Sequence, residues 1–532
     1  MAEEDLLFGK NRHFFGGVEP SNMRVFNASS NYVPATSTAR IKLAGQLPLD
    51  TVIDGQTLCT VAGAIIRRST SDYPEDEFSG TAVADVKPNF ALADPYTFTI
   101  YDASVTIGTT YYYAAFPYTK QGVYNRNHAN HTKAKAAAYT YLFGYDLTVG
   151  TDNTTTRVAY PTDVDNANYT AAKMNYTSGS FDYGSWPSTA GEKFMPKPVM
   201  LGYDGVVKEY LNQNDYTKKT DGTASSVANT AFLGNAMMEW PKIYTKREYV
   251  NGVYKFRCAD IPLGDDWDCW SNYDKNNNEI DHFYTPIYFG SNSNSRLRSI
   301  SGQDNYVNNT AATELSLARA NGDGWCTEVL VDRLLIQDLL VLMAKSTDTQ
   351  TAYGTGRCAS GNTSAIGQGT INTNGLFWGS TDQTSGVKVF GMENWWGNLW
   401  RRTAGWINAN GTQKVKLTQG THDGSTATDY NLDGAGYLTL AGATPAGTSG
   451  GYISAMKNDL SYGRIPVTAS GSSSTYEADG LWFNNGQVNY AIVGGSWNDA
   501  LLCGAFCADL STAASAAYPS TGAALSCKPL AA

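Results

Sequence analysis

Residues 480–530 read GLWFNNGQVNYAIVGGSWNDALLCGAFCADLSTAASAAYPSTGAALSCKPL, and this stretch decides how the C-terminal part of the chain folds. It alternates a regular frame of glycine, aromatic and small apolar residues with positions that follow no pattern. The frame comprises Gly494–Trp497, Gly504–Phe506, Leu510 and Gly522–Leu525. From Asn498 to Cys527 there is no Lys, Arg, Glu, Gln, His, Met or Trp. Acid–base catalysis depends on several of these groups, so the stretch favours a varied surface over a reaction centre.

Composition points to a β-rich protein of the extracellular or virion kind. The 532 residues include 52 Gly and 34 Tyr, and only 17% of them are charged. This length predicts two to four domains with a sizeable core. The net charge of −10 argues against a nucleic-acid partner, because phosphate binding needs clustered Lys and Arg.

Neither a membrane span nor a metal site is expected from the sequence. The first residues, MAEEDLLFGKNRHFF, are acidic and lack the apolar core of a signal peptide. The most apolar run, Leu334–Met343, is too short to span a bilayer, so we expect no membrane insertion. The eight Cys form no C-x-x-C pair and only five His are present, so we expect no metal and no cofactor.

The pattern of short strands and turns predicts an α+β chain that is mostly β. Residues 19–125 are predicted to form a β-sandwich, and the aromatic run Thr109–Phe116 resembles a late strand of fibronectin type III modules. The remaining predicted segments are a leader or attachment segment at 1–18, an irregular segment at 126–230 that packs on the C-terminal domain, and that domain itself at 231–532, with a variable region at about 480–527.

A long helix is predicted from Gly324 or Thr327 to Lys345. Its apolar residues recur at helical spacing, from Val329 to Met343. Its polar residues Asp332, Arg333 and Asp338 are predicted to lie on other faces.

Two motifs carry a family resemblance. Residues 391–400 read GMENWWGNLW, and the Gly494–Trp497 and Gly504–Phe506 motifs follow later in the chain. Together they resemble the C-type-lectin-like domain shared by formylglycine-generating enzymes and the variable proteins of diversity-generating retroelements, over residues 231–532. Tryptophan supplies a large apolar body with a single N–H, which suits a scaffold. The residues assigned to that scaffold are Trp395, Trp396, Trp400, Gly494, Gly495, Trp497 and Phe506.

The resemblance implies a function as well as a fold. It implies a tail-fibre or adhesin protein of a gut bacteriophage, made in the bacterial cytoplasm and carried on the virion. Its implied partners are a host cell-surface receptor, either protein or glycan, and other virion tail proteins, and its implied assembly is a homotrimer. It implies no catalytic activity.

The resemblance to variable proteins of diversity-generating retroelements implies that adenines of a template are randomised. Asparagine codons are thereby changed to codons for a restricted set of amino acids. That set excludes Lys, Glu, Gln, Met and Trp, and residues 498–527 contain none of these. The positions predicted to vary and to bind the ligand are Asn498, Asp499, Ala500, Cys503, Cys507, Asp509, Ser511, Thr512, Ala516, Tyr518 and Ser520. A bland region rich in Ala and Ser would give the same absences.

Two alternative functions stay open. Formylglycine-generating enzymes bind copper with a Cys pair after the G-G-S motif, and Cys503 and Cys507 stand in that neighbourhood. Their spacing departs from the enzyme pattern, and the Y-R-x-A-A-R stretch of the enzymes is missing, so we interpret both as varied positions. The other alternative is a structural virion protein with no receptor.

Two further polar groups are interpreted as structural. Asp274, Asn276 and Asn278 have the spacing of calcium-loop ligands, but the glycine and glutamate that an EF-hand loop requires are missing. A polar hairpin turn is predicted there. Arg401 and Arg402 are expected to cap or to pair locally.

Overall fold

The structure, a computed structural model, describes residues 18–150, 157–417, 437–440 and 450–530. Strands far outnumber helices in these ranges, which confirms the predicted α+β, mostly β class. The predicted leader lies outside the described residues, apart from Val18.

The chain divides into two compact units. The first runs to Thr140 and also includes Ile261–Trp267, and the second comprises Tyr141–Asp260 and the chain from Asp268 onward. The strands of the first unit are β1 (Val25–Val33), β2 (Thr38–Gln46), β3 (Thr51–Ile53), β4 (Gln56–Cys59), β5 (Val61–Ser69), β6 (Thr81–Val86), β7 (Thr97–Asp102), β8 (Thr110–Thr119) and β9 (His131–Lys135).

Two antiparallel sheets build the first unit, in the orders β1-β2-β7 and β6-β5-β8-β9. Strand β2 alternates strictly between buried and half-buried residues, which is the pattern of a strand with one face on a core. Ile41 and Leu43 of β2 share that core with Ile66 of β5 and Tyr113 of β8, so the sheets face each other across it. The assignment to fibronectin type III stays a prediction.

The first unit ends later than the predicted boundary at residue 125. Strand β9 pairs with β8 from Thr110↔Lys135 to Ala114↔His131, so residues beyond 125 complete its second sheet. The rest of the 126–230 segment is also more regular than predicted, because it forms seven strands of the second unit, β10 to β16. The periodicity of these strands was hidden by their short length, since β11, β12 and β13 have only two or three residues each.

The second unit contains the remaining strands. Those before its helices are β10 (Leu142–Thr148), β11 (Val158–Ala159), β12 (Lys173–Asn175), β13 (Ser180–Asp182), β14 (Lys197–Gly202), β15 (Val207–Asn212), β16 (Asp215–Lys219), β17 (Gly234–Pro241), β18 (Tyr244–Val250), β19 (Val253–Ala259), β20 (His282–Pro286), β21 (Ser291–Ser293) and β22 (Arg296–Arg298). Next come α1 (Ala311–Arg319), β23 (Trp325–Thr327), α2 (Leu330–Ala344) and α3 (Thr349–Tyr353).

The strands after the helices carry the predicted variable region. They are β24 (Lys388–Val389), β25 (Met392–Glu393), β26 (Trp400–Ala409), β27 (Thr412–Val415), β28 (Leu438–Thr439), β29 (Gly451–Tyr452), β30 (Ala455–Leu460), β31 (Gly463–Thr468), β32 (Gly480–Phe483), β33 (Val488–Val493), β34 (Ala508–Thr512), β35 (Thr521–Gly522) and β36 (Leu525–Cys527). One-turn 3₁₀ helices occur at Pro34–Thr36, His128–Asn130, Trp270–Asn272 and Ala500–Leu502.

Two large sheets dominate the second unit. One has the order β16-β15-β14-β17-β20-β36-β23, and the other has the order β28-β27-β26-β33-β34-β32-β29, with β35 running parallel to β26. A third sheet has the order β11-β10-β19-β18. The chain leaves the second of these sheets at β35 and returns to the first at β36, so the predicted variable region connects the two.

Helix α2 is shorter at its start than predicted. Residues Trp325–Thr327 form β23 instead, because they pair in register with Leu525–Cys527 of β36. The polar residues of α2 do not lie on an exposed face, since all 15 residues of the helix are buried. A helix buried on every side must find partners for its charges.

Those partners come from distant segments. Asp332 pairs with Lys528 at 2.9 Å, and Asp338 pairs with the Arg247 Nε at 2.8 Å. The Asp338 carboxylate also accepts hydrogen bonds from two tyrosine hydroxyls, of Tyr145 at 2.6 Å and Tyr254 at 3.1 Å. Charges on α2 therefore fix its position between the sheets.

The polar hairpin turn predicted at Asp274 is confirmed. The Asp274 Oδ1 accepts hydrogen bonds from the backbone N–H groups of Asn276 and Asn278, each at 2.8 Å. Its carboxylate therefore closes the turn itself.

Candidate functional site

The candidate site is built on residues 494–522, which connect β33 to β35. At its start, Gly494 and Gly495 have φ angles of 89° and 81°. A Cβ on Gly494 would lie 3.0 Å from the Trp395 carbonyl oxygen, and one on Gly495 would collide with the Cys503 Sγ. Both positions therefore require glycine, for backbone conformation and for space.

The loop at 496–502 is fastened at both ends. The Asp499 carboxylate accepts hydrogen bonds from the Ser496 N–H and hydroxyl, each at 2.7 Å. From outside the loop, the Asn362 side-chain amide donates to the Trp497 carbonyl at 2.9 Å. The Gln350 amide donates to the carbonyl of Leu501 at 2.9 Å, and also to that of Cys503.

The next turn, at 503–507, is held from the interior. Arg333 and Gln337, one turn of α2 apart, both donate to the Ala505 carbonyl, at 2.8 and 2.7 Å. The Thr349 hydroxyl accepts from the Ala505 N–H at 3.2 Å, and the Asp479 carboxylate accepts from the Phe506 N–H at 2.7 Å. The polar backbone atoms of a buried turn are thereby satisfied by side chains.

Burial shifts the pKa of both charged groups at this turn. It raises the pKa of Asp479 well above its usual value, although the Phe506 N–H bond opposes this. Burial also lowers the pKa of Arg333 to about 10, although Glu328 opposes this. The Arg333 guanidinium lies 4.2 Å from the centroid of the Trp395 ring, so the predicted scaffold tryptophan supports a charge that holds the turn.

The loop at 513–520 is held in the same way by Arg402. The Arg402 Nη2 donates to the carbonyls of Ala516 at 2.6 Å and Asn309 at 2.8 Å. Its Nε lies 2.8 Å from a carboxylate oxygen of Glu314, and both side chains are fully buried. Burial raises the pKa of Glu314 to about 8, against the effect of Arg402. Arg401 pairs with Glu328 at 2.7 Å, so neither arginine pairs locally as predicted.

Backbone contacts complete the fastening of this loop. The N–H groups of Ala311 and Asn308 donate to the carbonyls of Ala514 at 2.9 Å and Tyr518 at 3.1 Å. The Trp400 N–H donates to the Ser520 carbonyl at 2.9 Å. We call the side chains that hold the segment from outside the bracing residues: Arg333, Gln337, Thr349, Gln350, Asn362, Arg402 and Asp479.

The structure divides the predicted variable positions into three groups. Asn498 and Tyr518 are exposed. The half-buried positions are Asp499, Ala500, Asp509, Ser511, Ala516 and Ser520. The buried positions are Cys503, Cys507 and Thr512. The prediction that these last three display side chains to a ligand is therefore corrected, because the two thiols point into the core and Thr512 lies in β34 beneath the surface.

The predicted scaffold residues fall in the core, with one exception. Trp395, Trp396, Trp400, Gly494, Gly495 and Phe506 are buried, and Trp497 is half-buried. The Trp396 Nε1–H donates to the Gly354 carbonyl at 3.0 Å, so its single polar group is satisfied.

Sequence reasoning missed Trp482 of β32, although it stands in the stretch quoted above. This half-buried indole packs edge-on against Trp400, with ring centroids 5.5 Å apart and an angle of 85°. Side chains at Gly450 or Gly480 would collide with it. Trp482 lies in register beside Asp509 of β34, so a rigid aromatic ring borders the predicted variable positions.

A series of contacts runs from Ser520 to Asp509. Ser520 adjoins Trp400, Trp400 packs on Trp482, and Trp482 pairs with Asp509. The pKa of Asp509 is raised, first by burial and also by the charge of Asp499. We define the display surface as Trp482, Asn498, Asp499, Leu501, Asp509, Ser511, Tyr518 and Ser520.

Burial disfavours the thiolate form of the two cysteines. Burial raises the pKa of both Cys503 and Cys507 well above the usual value, so the neutral thiol is favoured. The Cys503 thiol donates to the Ser496 carbonyl at 3.3 Å. Within the described ranges, no three His, Cys, Asp or Glu side chains are grouped so that they could hold a metal ion.

Comparison with known proteins gives no relative. The chain matches no protein-family model, and no curated protein matches it. In the part of the chain that the structure describes, no helix has the length and apolar character needed to cross a membrane.

Proposed function

We propose that this protein is a bacteriophage receptor-binding protein whose display surface binds a host cell-surface receptor. In this proposal it is a tail-fibre or tail-tip adhesin, attached to other virion tail proteins and assembled as a homotrimer. The C-terminal segment is of the type that a diversity-generating retroelement varies, on a C-type-lectin-like domain. The sequence resemblance at residues 391–400 and 494–506 supports this assignment.

One observation carries the proposal: the backbone of the segment is held by side chains that lie outside it. The bracing residues contact carbonyl or N–H groups at Trp497, Leu501, Ala505, Phe506 and Ala516. Such contacts do not depend on which side chain the segment carries at those positions. The backbone can therefore keep its course while exposed side chains change, which is what a diversified binding surface needs.

The surface also has the composition of a binding face. Trp482 and Tyr518 supply amphipathic rings of the kind that dominate binding energy in interfaces. Asp509 lies beside Trp482, and the charge of Asp499 helps to raise the pKa of Asp509. A modest affinity for each copy becomes useful on a particle, because linked copies gain avidity by about 10²–10⁴-fold.

The decisive experiment exchanges the exposed residues and keeps the frame. Asn498, Leu501, Ser515 and Tyr518 are replaced together by other small or aromatic residues in the full chain. We expect unchanged thermal unfolding and a changed pattern of binding to intact bacterial cells. Unaltered binding to every cell type tested would favour the structural virion protein instead.

Two further observations separate the alternatives. A near-copy of the 3′ end of the gene that differs mainly at adenines, beside a reverse-transcriptase gene, would support diversification, and its absence would remove that part of the proposal.

For the oxidase alternative, Cys503→Ser with Cys507→Ser is the test. Unchanged cell binding in a folded double variant would contradict an oxidase role for these thiols.

A further inference from the structure

A groove lies on the same unit, and its lining residues are outside the segment just described. It is an open groove of about 520 Å³, bordered by the start of β14, the end of β15 and the loop at residues 189–190. This volume falls within the range of about 300–1,000 Å³ that is usual for small-molecule sites. The proposed receptor-binding function makes no use of it.

The rim of this groove is fixed before any ligand arrives. The Gln213 side-chain amide accepts a hydrogen bond from the Ala190 N–H at 2.6 Å and donates one to the Ser188 carbonyl at 2.9 Å. One side chain thus fastens the loop on one wall to the strand end on the other. A fixed rim lowers the entropic cost of binding, because less of the protein is ordered by the ligand.

Tyr210 supplies an aromatic surface in the groove. The Tyr210 side chain is 42% exposed, while its hydroxyl lies 3.4 Å from a carboxylate oxygen of Glu239. Glu239 is itself buried and accepts a second hydrogen bond from the Tyr284 hydroxyl at 3.0 Å. The ring is therefore held by its hydroxyl end and leaves apolar area open to a ligand.

Lys197 supplies a positive charge, and its register partner across β14 and β17 is Glu239. Its Nζ lies 5.6 Å from the centroid of the Tyr210 ring, and no carboxylate of the described residues forms a salt bridge with it. The stem of Lys197 passes over Gly191, whose φ is 88° and where a Cβ would collide with the lysine Cε. Gly191 thus leaves the space that lets this charge reach the groove.

The combination identifies a class of ligand. A sugar ring has an apolar C–H face that can lie on Tyr210, and hydroxyl groups that can bond to the amide side chains of Asn212 and Asn214. A carboxylate on the sugar would pair with Lys197. A phosphate would call for more than the single lysine in the lining, and the lining residues lie in strands and loops, so no helix N-terminus is present to assist.

We infer that this groove binds a saccharide that carries a carboxylate, at a site whose residues lie outside the predicted variable region. The site is independent of the display surface. A glycan contacted at both sites would be held more tightly than at either alone.

The test measures D-glucuronic acid, its methyl ester and D-glucose against the full chain by saturation-transfer NMR and calorimetric titration. We expect glucuronic acid to bind at millimolar concentrations, and the ester and glucose to bind about tenfold more weakly because they lack the charge. Equal binding of all three ligands, or stronger binding of inorganic phosphate than of glucuronic acid, would overturn the inference. This ligand series needs no variant, so it does not depend on mutant folding.

Variants then assign the contacts. Lys197→Met should reduce the affinity for glucuronic acid about tenfold and leave that for glucose unchanged. Tyr210→Ala should weaken both. The matched control is Lys208→Met, since Lys208 is on the neighbouring strand but pairs with Asp204 at 2.7 Å and lies outside the groove lining. A folded Lys197→Met variant with wild-type affinity for glucuronic acid would also contradict the inference.

Tyr518→Ala distinguishes this inference from the proposed function. This change on the display surface should leave glucuronic acid binding intact. If glucuronic acid fails to bind at all, the cell-binding experiment described under the proposed function can still be interpreted. None of the residues replaced in that experiment lies in the groove.

Discussion

The turn at residues 503–507 and the loop at residues 513–520 belong to one predicted variable stretch, but they differ in where their side chains point. In both, the backbone is held by bracing residues: Arg333, Gln337 and Asp479 hold the turn, and Arg402 holds the loop. In the turn, Cys503, Phe506 and Cys507 are buried. In the loop, Ser515, Ala517 and Tyr518 are exposed. A segment whose backbone is held by bracing residues therefore tolerates sequence variation only at positions where its own side chains are exposed.

The largest expected effect comes from the residue that holds the loop. Arg402→Met removes both carbonyl contacts of the guanidinium and leaves the buried Glu314 carboxyl without its partner. We expect the free energy of unfolding to fall by about 3–5 kcal/mol. Urea denaturation measures this loss.

The control for that variant adds Glu314→Leu to Arg402→Met. Removing both polar groups together should cost less than the sum of the two single changes, because neither buried group is then left without its partner. Additive losses would show that the pair does not act as a unit.

Introducing asparagine once in the turn and once in the loop compares how well the two segments tolerate a polar side chain. Cys503→Asn puts an amide into a fully buried position and should cost about 1–3 kcal/mol. Ser515→Asn, at an exposed position of the loop, should change the stability by less than about 0.5 kcal/mol. Equal losses in thermal or urea unfolding would remove the distinction between the two segments.

The stability contributed at Asp479 is expected to depend on pH. Its pKa is raised by burial above the ordinary value of 3.8, so the folded protein holds the proton more firmly than the unfolded chain. The stability from this group is thus fully present below about pH 4 and is lost as the pH rises through the raised pKa. Asp479→Asn keeps an oxygen for the Phe506 N–H and removes this component.

Urea unfolding of the wild type and of Asp479→Asn at several pH values from about 4 to 8 measures the difference. We expect the variant to gain stability relative to the wild type as the pH rises. A constant difference across that range would mean that the Asp479 carboxyl does not titrate differently in the two states.

The smallest effect on stability is expected at the tip of the loop. Tyr518 is 50% exposed, so Tyr518→Ala should change the free energy of unfolding by no more than about 0.5 kcal/mol. Binding to host cells should nevertheless fall, because tyrosine contributes strongly to interfaces. Full retention of cell binding together with lost stability would mean that Tyr518 supports the fold and does not bind the receptor.

Short-range pattern was sufficient to predict part of this structure. The aromatic run Thr109–Phe116 predicts a strand where β8 lies, and the repeat from Val329 to Met343 predicts a helix where α2 lies. The glycines at 494 and 495 and the tryptophans at 395, 396 and 400 were assigned to the scaffold by resemblance, and they are buried.

What the sequence could not predict depends on contacts between distant segments. The burial of Cys503 follows from a turn held by α2 and by Asp479, and nothing near Cys503 in the sequence indicates it. Arg402 forms a salt bridge with Glu314, which lies 88 residues earlier in the chain (402 − 314). The expectation of local pairing was therefore wrong. Trp482 looked like an ordinary strand residue because its partners Trp400 and Gly450 lie in other segments.

Strand β36 lies inside its sheet, between β20 and β23, and comes later in the chain than every other strand of that sheet. During synthesis the sheet cannot close until residue 527 has left the ribosome. A premature stop anywhere in residues 498–524 would leave two strands, β20 and β23, with bare edges and expose their apolar side chains. Cellular proteases would then remove truncated products, so that only chains read through the whole segment persist.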